Sequence, residues 1–207
     1  EPAQAPRIAC SSDGSIVTVA WIAQINVGTV VEATTLKDHG TMLVRKNPVS
    51  SPGVEGEVPG LTMSSNGQRQ TIAWHGYNSN TTNRYVNTIT STNGGATWPN
   101  SAVLIGTPST QAREDASIAT SADGLHLALT WAQAVGPTMG VFFASSSDGG
   151  ATWFSPVQLN SGQSNAGSTP FVTSSTDGLT IHAAWLQDTG SGNSLPMIMS
   201  STDGGLN

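Results

Sequence analysis

Apolar side chains recur at every second position in four short runs of this chain: Val17, Val19 and Trp21; Ile72 and Trp74; Leu127, Leu129 and Trp131; Ile181, Ala183 and Trp185. Alternation of period two marks extended strands that turn one face to a core. Each run follows a small polar phrase: Ser11-Ser12-Asp13-Gly14, Ser64-Ser65-Asn66-Gly67, Ser121-Ala122-Asp123-Gly124 and Ser175-Thr176-Asp177-Gly178. The tryptophan falls eight residues after the Asp or Asn in all four. A shorter apolar segment precedes each phrase, as in Arg7-Ile8-Ala9-Cys10 and Phe171-Val172-Thr173. Asp-Gly or Asn-Gly between two such runs predicts an antiparallel hairpin, because both residue types tolerate positive φ.

A third run, such as 141–145 or 85–90, leads into a second repeated phrase, and a fourth, such as 156–159 or 102–105, leaves it. That phrase reads Ser91-Thr92-Asn93-Gly94-Gly95-Ala96-Thr97-Trp98, then Ser146-Ser147-Asp148-Gly149-Gly150-Ala151-Thr152-Trp153, then Ser201-Thr202-Asp203-Gly204-Gly205. Asn93, Asp148 and Asp203 are spaced by 55 residues, and the same step backwards reaches Asp38 in a degenerate copy. Four short strands per unit, with no helical periodicity, predict an all-β chain built as a β-propeller of four-stranded antiparallel blades. The blades are expected over about residues 5–50, 56–107, 113–162 and 167–207, the last one incomplete. Four blades lie at the low end of the propeller range, so a larger ring of six to eight blades is expected, with this chain as part of it.

Composition narrows the classes of function. Hydrophobic residues make up 37% and charged residues only 10%, with Ser, Thr, Asn and Gly filling the difference. The formal net charge is −6, and no basic run supplies the electrostatic footprint of a nucleic-acid binder. No stretch approaches the ~18 apolar residues of a membrane span. Cys10 is the single cysteine, which rules out an internal disulfide, and the spacing of the four histidines suggests no metal site. No cofactor is expected. The low charge and the sequon at Asn80, a candidate glycosylation position, point to an extracellular or cell-surface protein.

The phrase Ser-x-Asp-x-Gly-x-Thr-Trp resembles the Asp box, or bacterial neuraminidase repeat. Ser146, Asp148, Gly150, Thr152 and Trp153 match every position, Asn93 replaces the acid in the earlier copy, and the copies at Asp38 and Asp203 are partial. The resemblance implies a sialidase-like propeller with this turn between the third and fourth strands of a blade. Asp38, Asn93, Asp148 and Asp203 are then turn-formers, and Trp98 and Trp153 pack between sheets. It also implies that ligands bind at the opposite end, around the central channel. That end would be formed by connections over 22–28, 75–84, 132–139 and 186–195, together with 46–58, 106–116 and 160–168.

Polar residues gather in those segments: Arg7, His75, Tyr77, Arg84, Arg113, Glu114, Asp115 and Asp188. They are the candidate binding residues. A sialidase-like site would need an arginine cluster to clamp a carboxylate in bidentate fashion, together with a Tyr nucleophile, a Glu and a separate acid. Arg7-Ile8 resembles the start of the family's Arg-Ile-Pro motif, with Ala9 in place of the proline. No acid stands in 22–28, where the family carries its general acid, and Tyr77 and Tyr85 are the two tyrosines. No catalytic residue is assigned. The leading expectation is therefore a non-catalytic extracellular module that binds a glycan or a protein. The alternatives are a segment of a sialidase-like glycoside hydrolase and a structural repeat of a surface layer or fibre. Partners could include other copies, or the remainder of the same chain.

Overall fold

The computed structural model describes residues 3–26, 28–39, 41–50, 54–78, 83–109, 113–162 and 166–207; the side chains at 42–47, 54–58, 78, 107–109 and 113–115 lie outside the description. The described chain forms four antiparallel meanders. The first orders β1 (Ala3–Cys10), β2 (Val17–Ile25), β3 (Gly28–Lys37) and β4 (Met42–Pro48). The second holds β5 (Val54–Met63), β6 (Gln70–Asn78), β7 (Asn83–Ser91) and β8 (Val103–Ser109). The third holds β9 (Arg113–Thr120), β10 (Leu127–Val135), β11 (Thr138–Ser146) and the short β12 (Val157–Gln158). The fourth has three strands, β13 (Gly167–Ser174), β14 (Ile181–Asp188) and β15 (Ser194–Ser201).

Period two decides how the sheets stack. One face of each second strand carries the tryptophan, and the other carries smaller residues. Ile72 and Trp74 of the second sheet share a buried cluster with Ala20, Val31, Ala33 and Val49 of the first. Leu129 and Trp131 of the third sheet meet Ala73, Val86 and Ile105 of the second, and Ile181 of the fourth meets Ala128 and Phe143 of the third. The core therefore lies between sheets, with the tryptophan face of one sheet on the small-residue face of the sheet before it. The first strands adjoin in series, β1 on β5, β5 on β9 and β9 on β13. Turn residues continue the series with backbone bonds, from Ser12 N–H to Ser65 O (2.9 Å), Ser65 N–H to Ala122 O (2.7 Å) and Ala122 N–H to Thr176 O (2.8 Å).

The first hairpin of each sheet differs from the expected tight turn. Only the glycines adopt positive φ there (Gly14, Gly67, Gly124 and Gly178), and the connection spans Ser11–Ile16 and its equivalents. The leading serine explains the extra length. Ser11 Oγ donates to Asp13 Oδ1 (2.6 Å) and accepts Ile16 N–H (3.0 Å), while Asp13 Oδ1 accepts Ser15 N–H (2.9 Å). Ser64-Asn66, Ser121-Asp123 and Ser175-Asp177 repeat the pattern. The later turns are built alike: Asp148 accepts from Ser146 Oγ (2.8 Å), Thr152 N–H (2.9 Å) and Thr152 Oγ1 (2.6 Å).

These bonds favour the charged carboxylate. The Ser11 hydroxyl and then the Ser15 amide bring Asp13 down to about 2. Asp123 and Asp177 are lowered chiefly by Ser121 and Ser175; at Asp148 partial burial acts upwards but is outweighed by Thr152 and Ser146. A carboxyl depressed on folding contributes stability above its unfolded value of about 3.9, and loses it as pH falls through the folded value. The thermal midpoint should therefore hold from pH 7 to about pH 5 and decline below about pH 4. Circular-dichroism melts across pH check this, and Asp123→Asn with Asp177→Asn should flatten the decline. An unaltered decline in that variant would show that other groups carry it.

A third repeated feature escapes the sequence reading. Each first strand breaks register once, between Gln4 and Arg7, Glu57 and Gly60, Glu114 and Ser117, and Ser168 and Phe171. The bulges hold Ala5-Pro6, Val58-Pro59, Asp115-Ala116 and Thr169-Pro170. Proline is suited to a bulge because it has no N–H to give to a ladder. Ala5 (φ 49°) and Thr169 (φ 46°) adopt the left-handed region there.

Candidate functional site

The four bulges bend the first strands around one pocket of about 190 Å³, to which Arg7, Gly60, Ser117, Pro170 and Phe171 contribute. Arg7, Gly60, Ser117 and Phe171 occupy one repeated position, opposite Ala20, Ala73, Thr130 and Ala184. A position that is equivalent in all four sheets thus presents a cation, a bare backbone, a hydroxyl and an aromatic ring. Variation at a repeated position on a regular scaffold is what a binding site requires. Gly60 keeps the backbones close: a Cβ there would meet Ala116 O at 3.1 Å and Ile118 Cγ2 at 3.2 Å.

Arg7 is the charged residue among those lining the pocket. Its Nη1 donates to Pro6 O (3.1 Å), and no described carboxylate pairs with it. A guanidinium presents its donors in a planar fork that fits a carboxylate or sulfate oxygen pair. Phe171, 69% exposed, adds an apolar ring to the same pocket lining. Ser117 Oγ accepts Val172 N–H (3.2 Å) and so ties β9 to β13 at the pocket floor.

The other sequence candidates are placed differently from the expected loops. The second and third strands run on, with β2 ending at Ile25 before Gly28 and β10 ending at Val135 before Thr138. His75 is a buried strand residue (3% exposed) opposite Glu57 and Val86. Tyr77 and Arg84 are cross-strand partners at the end of β6 and β7, with the guanidinium 5.1 Å from the ring centroid. Asp188 Oδ1 accepts Gly190 N–H (2.8 Å) and serves its own turn. Arg113, Glu114 and Asp115 belong to strand β9 rather than to a loop, and their side chains lie outside the described ones; Asn80 lies outside the described residues.

The expected arginine cluster is therefore not assembled from Arg7 and Arg84. Arg7 stands on a first strand at the pocket, and Arg84 stands on a third strand of another sheet, over Tyr77. Glu57 and Glu114 hold one register position on the neighbouring strands β5 and β9, opposite His75 and Ala132. Gly60, Ser117 and Phe171 are the site residues that sequence reasoning missed; the dipeptide ending in Pro6, Pro59 and Pro170 was the signal that could have found them. Trp98 and Trp153 pack against the inter-sheet clusters. Among the described residues, no group of three His, Cys, Asp or Glu side chains comes together, and no helix is long and apolar enough to cross a membrane.

No protein-family model matches the sequence, and no curated protein matches it. Solved structures do match. An α-L-arabinofuranosidase from Fusarium graminearum, in complex with an iminosugar inhibitor, superposes with TM-score 0.67 at 14% identity over 98% of this chain and 63% of its own. An ulvan lyase, a polysaccharide lyase, gives TM-score 0.70 at 7% identity over 98% of this chain and 53% of its own. A Hadza microbial sialidase gives 0.56 at 15% identity over 99% of this chain and 44% of its own. This chain thus spans less than two thirds of the length of each. Likeness at such identities is a likeness of fold, and the fold these chains share with the four meanders is the β-propeller.

Proposed function

We propose that this chain is part of a glycan-active propeller, of the glycoside-cleaving kind, that receives an acidic sugar in the pocket at the first-strand bulges. The observation that carries this reading is that the exposed Arg7, with which no described carboxylate pairs, and the exposed ring of Phe171 line one pocket. Arg7 would clamp a carboxylate or sulfate, and Phe171 would stack on a sugar face, the usual division of labour between charged and aromatic groups. The structural neighbours that are an arabinofuranosidase, a polysaccharide lyase and a sialidase support a glycan over a protein ligand. They also favour the hydrolase alternative over the non-catalytic scaffold. Glycosidic cleavage generally needs one carboxyl to protonate the leaving oxygen and another to act as base or nucleophile. Glu114 of strand β9, one of the candidate residues, is the acid put to the test for one of those roles.

The repeated turns are read as Asp boxes whose part is to fix the third and fourth strands, and the composition suits display outside the cell. Calorimetric titration with an acidic oligosaccharide and with a neutral arabino-oligosaccharide tests the site. The acidic ligand should bind at least about tenfold tighter, and Arg7→Ala should remove about that factor while leaving the neutral ligand unchanged. Equal affinities, or an Arg7→Ala variant that binds the acidic ligand normally, would refute it. Acid-selective binding without bond cleavage would leave a binding module, and cleavage abolished by Glu114→Gln with binding kept would make it an enzyme.

A further inference from the structure

Four non-glycine residues among the described ones hold positive φ: Ala5 (49°), Asp38 (49°), His39 (56°) and Thr169 (46°). Asp38 and His39 belong to the turn after β3, and Asp and His are residue types that enter the left-handed region readily. Ala5 and Thr169 are strand residues instead, and a β-branched threonine at positive φ is an outlier. Each is the first residue of a bulge, a place where the left-handed conformation ordinarily falls to glycine. In each bulge two residues stand opposite one tryptophan, Ala5-Pro6 opposite Trp21 and Thr169-Pro170 opposite Trp185.

The next residue in both strands lines the pocket, Arg7 in β1 and Phe171 in β13. Ladder pairing resumes there with Ala20 and Ala184, and Val172 N–H is held by Ser117 Oγ (3.2 Å). On the other side Gln4 pairs with Ile22 and Ser168 with Leu186, so each bulge is fixed at both ends. Proline adds a second narrow link, because its ring locks φ at about −65° and restricts the residue before it. We infer that Ala5 and Thr169 are positioning residues: a strained left-handed link, locked by proline, holds Arg7 and Phe171 at fixed settings in the pocket before any ligand arrives. Backbone strain persists only where the surroundings over-determine it, and a group already set for its ligand loses less freedom on binding. Glycine would adopt the same φ without the strain, and also without the restriction. The benefit to binding rests on the acidic-sugar reading of the pocket, whereas the fixing of Arg7 and Phe171 is a property of the ligand-free chain.

Amide relaxation of the ligand-free chain should give Arg7 and Phe171 backbone order parameters near the rigid value of about 0.85. Ala5→Gly combined with Thr169→Gly should bring both down towards about 0.6. The melting temperature of this glycine pair should stay within about 4 °C of the unaltered chain, since relief of strain offsets the freedom that glycine gives the unfolded state. Ala5→Asn combined with Thr169→Asn should keep the order, because Asn enters the left-handed region but lacks the freedom of glycine. An acidic oligosaccharide should bind the glycine pair about tenfold more weakly than the unaltered chain. Unchanged order in the glycine pair, an equal loss of order in the asparagine pair, or order lost only together with a fall in melting of more than about 10 °C would each overturn the assignment. So would equal affinity of the glycine pair for an acidic ligand that the unaltered chain binds. If no form binds an acidic ligand, the reading of the pocket falls, and the order parameters alone decide whether Ala5 and Thr169 position their neighbours.

Discussion

Trp131→Ala should lower the stability of this chain by about 4 kcal/mol and its thermal midpoint by about 8–16 °C. The ring is 1% exposed and lies at the middle of the joint between the second and third sheets, with Ala73, Val86, Ile105 and Leu129. It stacks on Phe142 with centroids 5.7 Å apart and planes 16° from parallel, an arrangement that adds to area burial. Its Nε1–H donates to Gln133 Oε1 (3.2 Å), so truncation also removes the partner of a part-buried amide oxygen. Packed sheets cannot close the resulting void without sliding against each other, and the cavity contribution should persist. Trp21 holds the same register on the outward face of the first sheet and is half-buried, so Trp21→Ala should cost less than half as much. Calorimetric melts of the two variants give the comparison. Equal losses would mean that the tryptophan face of the third sheet is not the packed one.

Gly95→Ala should cost about 3 kcal/mol, with two separable causes. Its φ of +74° lies in the left-handed region, where a Cβ is strained. The added Cβ would also collide with Thr35 Oγ1 and approach Gln70 Oε1 to 2.8 Å. Neither neighbour is free to yield. Thr18 Oγ1 bonds Thr35 Oγ1 (2.8 Å) and Gln70 Oε1 (2.8 Å), and Gln70 Nε2 donates to Gly67 O (3.1 Å), all of it buried. Gly136 provides the control: φ is +59°, and a Cβ there would meet nothing within 4 Å. Gly136→Ala should therefore lose only the backbone share, about 1 kcal/mol. Denaturant unfolding separates the two, and similar midpoints for both variants would show that the turn at Gly95 does not dock on the first sheet as described.

The strands and their repeat were legible because period two and turn chemistry are local. Val17, Val19 and Trp21 announce a strand and its buried face within a few residues, and Ser11-x-Asp13-Gly14 announces its start. The first strands of the sheets were harder, since their bulges are two-residue events that leave the apolar pattern almost untouched. Only Pro6, Pro59 and Pro170 at matching places betray them. The candidate site was least legible for a different reason. Arg7 stood out by its charge, but Gly60, Ser117 and Phe171 share no chemistry with it and are separated from it and from one another by roughly one repeat each. What unites them is register, and register appears only once the strands are paired. The polar character of His75, Tyr77 and Arg84 suggests a loop, but cross-strand pairing with Val86, Arg84 and Tyr77 holds them in strands.

The backbone bonds that run from Ser12 to Ser65, on to Ala122 and then to Thr176 make every joint chemically interchangeable with the next. Each of the first three hairpins gives one N–H forward, and each of the last three receives one from behind, whatever side chains it carries. Gene-level gain or loss of a whole repeat would therefore leave two compatible ends facing each other. Loss of a single strand would not, because in an antiparallel meander it would reverse the direction of every strand that follows. Growth and shrinkage of such a protein is in this sense quantised, with the sheet as its smallest heritable step.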